Sequence, residues 1–324
     1  MHLPKLARRA RLTRAPLALV TAASLTLGLA ACGSDNREEA AAPAATAPAA
    51  TSAPHQPAAQ PTLPDGSRTL LPNHRIVALY GHPSGPALGA LGEQNPQEAV
   101  ERIQRIASYY QPLSDVPVMP AFEIIATVAS SEPGPDGNYV NETDPAELVP
   151  SIDAITQAGG YALLDIQPGR SSLKELAEQY EDLLKRPDVG LAIDPEWALG
   201  PDELPAQQVG HVDAADINEV SDWLAQLTRD NDLPQKALVI HQFQLQMVRN
   251  RENLNLDHPE LATIIHVDGH GPREDKMFTW DTMRQDLDPR VFVAWKNFYD
   301  EDTPMFTPEE TMAVTPQPSF ISYQ

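Results

Sequence analysis

Eight apolar runs punctuate the chain: Arg75–Tyr80, Phe122–Ala129, Tyr161–Ile166, Val189–Ile193, Lys236–His241, Thr263–Val267, Val291–Lys296 and Ser319–Tyr323. Each is short, mostly aliphatic and without a polar face, which predicts strands buried on both sides. Between most of them apolar residues recur with helical spacing, predicting helices over Pro96–Tyr110, Pro145–Ala158, Ser171–Lys185, Ala214–Asp230, Phe243–Glu252 and Thr279–Leu287. Asn95 before Pro96 is an N-cap/N1 pair, and the segment from Ser171 to Glu175 places a Ser three residues before a Glu, as in a capping box. Strand–helix alternation predicts an α/β fold with a parallel sheet. Eight repeats in about 255 residues favour a (β/α)8 TIM barrel over an open doubly wound sheet, the main alternative. The barrel has no regular final helix, because the chain ends at the eighth strand. The seventh connection, Asp300 to Pro318, is Pro-rich and helical only at Pro308–Ala313.

The first seventy residues follow another pattern. Lys5, Arg8, Arg9, Arg11 and Arg14 precede the apolar segment Ala15 to Gly28, which is too short to span a bilayer. The segment then runs Leu29-Ala30-Ala31-Cys32-Gly33, whose last four residues before Gly33 resemble a bacterial lipobox. Cys32 is the only cysteine, so no intrachain disulfide forms, and its position marks it as an acyl attachment site. The expected organisation is a lipoprotein signal peptide at 1–31, a lipidated Cys32 with an Ala/Pro-rich tether at 32–69, and the barrel at 70–324. The tether lacks apolar periodicity and predicts a semi-extended spacer. The expected location is the outer face of the cell membrane, held by a lipid and not by a spanning helix.

Charge narrows the partners. The leader holds five of the 23 basic residues and no acidic one, so the rest carries 18 against 45, a formal charge of −27. Such a surface argues against nucleic acid. No Gly-x-Ser-x-Gly elbow, Walker loop or dinucleotide fingerprint occurs, so no cofactor is expected.

Chemistry concentrates at the ends of the apolar runs. Strand one ends Tyr80-Gly81-His82, and strand three ends Asp165-Ile166-Gln167 with Arg170 in its loop. Strand four gives Asp194-Pro195-Glu196-Trp197, strand five His241-Gln242, strand six Asp268-Gly269-His270, and strand seven Lys296-Asn297-Phe298-Tyr299. The strand bodies read as aliphatic, and the C-terminal face of a barrel carries the chemistry. Proline ends ladder pairing, and extended residues two apart share a face, so Asp194 and Glu196 are expected side by side at the strand mouth. Asp165 is expected beside Asp194 on the neighbouring strand. Clustered carboxyls repel, which raises the pKa of at least one and makes a proton donor.

The segments Leu164–Arg170, Leu191–Trp197 and Phe298–Asp302 resemble those of actinobacterial surface lipoproteins with a glycoside-hydrolase-like barrel, a family without an assigned reaction. The Asp-x-Glu after strand four is also similar to the family 18 chitinases and family 25 lysozymes, whose Glu is the general acid. The chitinase pattern has further acids where this chain has Ala192 and Val189. The lysozyme-like families carry an Asp on strand one, where Tyr80-Gly81-His82 stands here.

The reading that follows is a glycoside hydrolase acting on a cell-envelope polysaccharide, with Glu196, Asp194 and Asp165 catalytic. Tyr80, His82, Gln167, Arg170, Trp197, His241, Gln242, Asp268, Lys296 and Tyr299 are the candidate substrate-binding residues. Two alternatives stay open. One is a metal-dependent hydrolase with ligands among His82, Asp165, Asp194, His241, Asp268 and His270. The other is a surface lipoprotein that binds a glycan without turnover.

Overall fold

The computed structural model describes residues 60–324. The signal peptide, Cys32 and most of the tether lie outside the described residues. Eight parallel strands form a closed barrel: β1 Arg75–Gly81, β2 Val118–Ala129, β3 Tyr161–Ile166, β4 Val189–Ile193, β5 Lys236–His241, β6 Leu261–Val267, β7 Phe292–Asn297 and β8 Phe320–Tyr323. β1 pairs with both β2 and β8, which closes the sheet and leaves no edge within the barrel. A short strand, Val140–Glu142, adds antiparallel to the end of β2.

The helices are α1 Pro96–Tyr110, α2 Pro145–Gln157, α3 Leu173–Glu178, α4 Glu181–Leu184, α5 Ala214–Asp230, α6 Arg273–Met283 and α7 Pro308–Ala313. Local chemistry sets their starts. The Asn95 side chain accepts from the amides of Gln97 and Glu98, and Glu98 reaches back to the Asn95 amide.

Three expectations change. The single helix over Ser171–Lys185 is broken between α3 and α4, where Tyr180 turns inward and donates to the carbonyls of Ala126 and Thr143. Phe243–Glu252 is not a helix. Short 3-10 turns at Leu245–Met247 and Arg251–Asn253 flank a two-residue strand, Val248–Arg249, that pairs with Val212–Asp213, and Asn250 is left-handed at φ 53. The Thr279–Leu287 helix begins earlier, at Arg273 after Pro272, and ends at Met283.

Two apolar layers follow from strand alternation. Outward residues such as Val77, Leu79, Leu164, Leu191, Leu238 and Ile265 pack against the helices. Inward residues such as Ala78, Ala121, Leu163, Ala192, Val239 and Ile264 fill the lower barrel. Leu63, Leu70 and Leu71 join this second cluster and close the N-terminal end of the barrel from below. Both Leu70 and Leu71 amides donate to the Gln235 side chain, and Arg68 donates to Pro61 and Asp232. Residues 60–69, grouped with the tether by composition, therefore belong to the folded domain. No helix among the described residues is long and apolar enough to cross a membrane.

The plug makes a stability prediction. Leu70 is fully buried, so Leu70→Ala is expected to destabilise the barrel by about 2–5 kcal/mol. The denaturant midpoint should fall with little change in slope.

Candidate active site

Above the apolar layers the barrel interior turns polar. The inward position near the C-terminal end of successive strands is Tyr80, Glu123, Asp165, His241, His266, Lys296 and Ser322, and Asp194 follows β4 directly. Within the strand bodies, Glu123 and His266 overturn the reading of uniformly aliphatic strands. Their signal lay in parity: each falls on the inward side of an otherwise apolar run, and His266 is two residues before Asp268.

The register corrects the expected neighbourhood of the acids. Asp165 lies opposite Ala192, not Asp194, because the strands are staggered around the barrel. The Asp194 amide makes the last ladder bond of β4, to the Ile166 carbonyl at 3.0 Å. Pro195 ends the ladder as expected. Pro195–Trp197 is then a 3-10 turn, so Asp194 and Glu196 are not an extended i, i+2 pair. Both nonetheless line one cavity. Trp197 folds back and donates its indole Nε1–H to Asp194 Oδ2 at 3.0 Å. The returning loop crosses the turn at Gly210, whose amide donates to the Glu196 carbonyl at 2.7 Å. A Cβ on Gly210 would collide with the backbone of Ala198 and Glu196, so the crossing needs glycine.

The cavity holds about 390 Å³ and opens at the C-terminal end of the barrel. Of the expected residues, Tyr80, Gln167, Asp194, Glu196, Trp197, Asp268 and Lys296 line it. His270, Phe243, Phe298 and Glu301 line it too; of these, Phe243, Phe298 and Glu301 carried no expected role.

Six expected residues stand elsewhere. Asp165 is fully buried one layer down and accepts from the Tyr80 hydroxyl at 2.8 Å. His241 is also fully buried, and Gln242 is spent on the carbonyls of Gln244 and Leu245 and on Arg251. His82 bonds Ser84 and Thr143. Arg170 stacks over Tyr139 and donates to the carbonyls of Gly137 and Glu203, beside a different pocket. Tyr299 packs under Arg102 and against Tyr323. The proposed ligand set spanning His82 to His270 is therefore not one cluster. Among the described residues, the ligand-type group that does converge is Glu123, His241 and His266.

Beneath the cavity runs a buried charge network. His241 Nδ1 lies 2.9 Å from Asp268 Oδ2 and its Nε2 lies 2.9 Å from Glu123 Oε1. Burial pushes the His241 pKa down, but the Glu123 charge and the bonds to Asp268 and Glu123 outweigh it and hold the pKa well above the usual imidazole value. Burial likewise pushes Glu123 up, yet the His241 charge holds its carboxyl well below the ordinary range. Asp268 stays low for the same reason, through the His241 hydrogen bond. Lys296 sits 3.8 Å from the centroid of the Tyr80 ring, a cation–π contact on the cavity wall.

The remaining acids have raised proton affinity. Burial, then the nearby Glu196 charge, raises Asp194 well above a normal carboxyl. Burial, then Asp268, pushes Glu196 up to about 7. Burial pushes Asp165 up to about 6 despite the opposing His241 charge. Five carboxyls face only two cations here, so at neutral pH the cavity pair is poised between proton-bearing and ionised forms. Two adjacent acids with raised pKa values can donate a proton to a leaving oxygen and accept one from water.

No protein-family model matches this chain, and no curated protein is significantly similar to it. Among solved structures it is similar to a xylanase–α-amylase inhibitor protein crystallised with trehalose. The identity is 13% across 77% of this chain and 92% of that chain, with a TM-score of 0.42. A likeness this distant carries no functional argument.

Raised carboxyl pKa values carry a stability signature. A carboxyl whose folded pKa exceeds its unfolded value contributes stability fully present below the unfolded pKa and lost as pH rises toward the folded one. For Glu196 that window runs from about 4.5 to about 7. Glu196→Gln is therefore expected to be more stable than wild type at pH 8, by roughly 1–3 kcal/mol, and to lose the advantage at pH 4. Urea unfolding at the two pH values checks the sign.

Proposed function

We propose that this protein is a cell-surface glycoside hydrolase that cleaves a cell-envelope polysaccharide, exported by its leader and anchored through a lipid on Cys32. The observation that carries the reading is the pair Asp194 and Glu196, both with raised proton affinity, on one open cavity at the catalytic face of a barrel. Glu196 is the proton donor to the glycosidic oxygen. It is half-buried, faces the cavity, and has a pKa of about 7 that keeps a proton available near neutrality. Asp194 is its partner: with its own proton affinity raised, it shares protons with Glu196, and in its ionised form it takes the proton of the attacking water. Trp197 is partly exposed at the rim and, with Phe243 and Phe298, offers ring faces for stacking on sugars. Lys296 and Gln167 supply polar contacts from the wall.

Asp165 enters indirectly. It holds the Tyr80 hydroxyl and so orients a ring that lines the cavity, which favours a positioning role over that of base or nucleophile. The Pro/Ala-rich spacer would let the barrel reach polymer away from the bilayer.

Incubating the purified protein with envelope polysaccharides tests the reading. Glu196→Gln is expected to lower turnover by about 10²–10⁴ while sugar binding persists. The rate should fall as pH rises through about 7, where the donor loses its proton. Binding without turnover on every glycan would return the non-catalytic reading, and turnover unaffected by Glu196→Gln would reject the assigned donor.

A further inference from the structure

Three strands turn ligand atoms toward one another beneath the cavity floor. Glu123 comes from β2, His241 from β5 and His266 from β6, and one ligand atom of each lies within 4.8 Å of the others. All three side chains are fully buried. Their hydrogen bonds sort into an outer and an inner set. On the outside, His241 Nδ1 is held by Asp268 Oδ2 at 2.9 Å, and His266 Nε2 by Ser322 Oγ at 3.0 Å. On the inside, His241 Nε2 and His266 Nδ1 both face Glu123 Oε1, at 2.9 and 3.8 Å. Two polar atoms of this group, Glu123 Oε2 and His266 Nδ1, have no hydrogen-bond partner. Unpartnered polar atoms in a dry interior are costly and call for a missing partner.

The pattern has a chemical reading. Metal-bound imidazoles tie their second nitrogen to a carboxylate, hydroxyl or carbonyl oxygen, which fixes the tautomer and the ring. Here each imidazole is tied in that way, and the free edge of each points at one carboxylate. Around an ion with bonds of about 2.0–2.1 Å, tetrahedral ligand atoms stand about 3.4 Å apart, within the spread of the observed separations. Two nitrogens and a carboxylate oxygen suit zinc or a neighbouring transition ion, whereas magnesium and calcium prefer oxygen alone.

We propose that Glu123, His241 and His266 bind a zinc-class divalent cation inside the barrel, with Asp268 and Ser322 as its outer supports. The ion takes the place of the proton between His241 and Glu123 and gives the orphaned atoms a partner. Three protein ligands leave one position for a water. This ion is not the catalyst of a metal hydrolase: its ligands have no solvent exposure, and neither Asp194 nor Glu196 is among them. Its role is to neutralise the buried acids and fasten three strands together. A site without exposed ligands loads as the chain folds, so it should neither fill nor empty freely in the native state.

The test uses the full chain in detergent, unfolded with a chelator and refolded with zinc(II), with cobalt(II) or with neither. Elemental analysis after desalting is expected to find about one zinc per chain, retained in the folded protein against EDTA. The cobalt form should absorb in the visible, and both metal forms should melt higher than the metal-free one. His266→Gln should lower metal content at least tenfold, whereas Glu196→Gln should leave it unchanged. If His266→Gln fails to fold, the visible spectrum of the wild-type cobalt form decides. The proposal is overturned if refolded wild type retains no zinc or cobalt, or if His266→Gln binds as much metal as wild type. Either result leaves the cavity chemistry standing, because that is tested by turnover and not by metal.

Discussion

The structure depends on how charge is balanced inside a closed barrel. Glu123, Asp165, Asp194 and Asp268 are buried at one end of the interior, with half-buried Glu196 beside them, and an isolated buried ion is very costly. Lys296 and a protonated His241 cannot neutralise five carboxylates. The balance is made with protons, and burial decides which groups keep them. Glu123 and Asp268 grip His241 and stay ionised, whereas Asp165, Asp194 and Glu196 lack that partner and burial raises their pKa values. The raised proton affinity at the cavity thus follows from burial and from the charge balance one layer below it.

That arrangement needs support from elsewhere in the fold. The lower barrel is aliphatic and closed from beneath by Leu63, Leu70 and Leu71. A second apolar layer binds the strands to the helices. These two layers supply the hydrophobic stabilisation against which a destabilising polar layer can stand. The cations that could have quenched the acids are engaged in other contacts. Lys236 is fully buried but donates to the Arg186 and Val189 carbonyls at the opposite end of β5. Lys276 is paired with Asp302 at 2.9 Å behind the β6 and β7 loops. Neither forms an ion pair with Asp194 or Glu196.

Much of this was legible in the sequence, and the limits are physical. β3, β4 and β5 match their apolar runs end to end, because each buried run is bounded by turn-forming or polar residues such as Gly160, Asp188, Pro195 and Pro234. α1, α5 and α7 also match, since capping residues and proline mark where they begin. Phe243–Glu252 misled because helical spacing of Phe, Leu and Met cannot foresee a left-handed Asn250 or the pairing of Val248 with Val212. At the site, Asp194 and Glu196 announced themselves through the proline between them. Glu123 did not: a single acid within Ala121-Phe122-Glu123-Ile124 looks like noise until its parity with the inward residues is known. Asp165 was recognised but misplaced, because stagger around a closed sheet is set by tertiary closure and not by local pattern.

Tyr80 lies between the cavity and the acids beneath it. Its hydroxyl donates to Asp165, its ring lies 5.9 Å from that of His241, and Lys296 covers its face. The same ring lines the cavity. It therefore stands between the cavity, lined by Asp194, Glu196, Asp268 and Glu301, and the fully buried layer that holds Glu123, His241 and His266. Water admitted below it would solvate Asp165 and Glu123, raise the local dielectric and weaken the grip on His241. The raised proton affinity of Asp194 and Glu196 comes from their own burial and from neighbouring acids, whereas the ordered network below depends on the Tyr80 ring to keep water out.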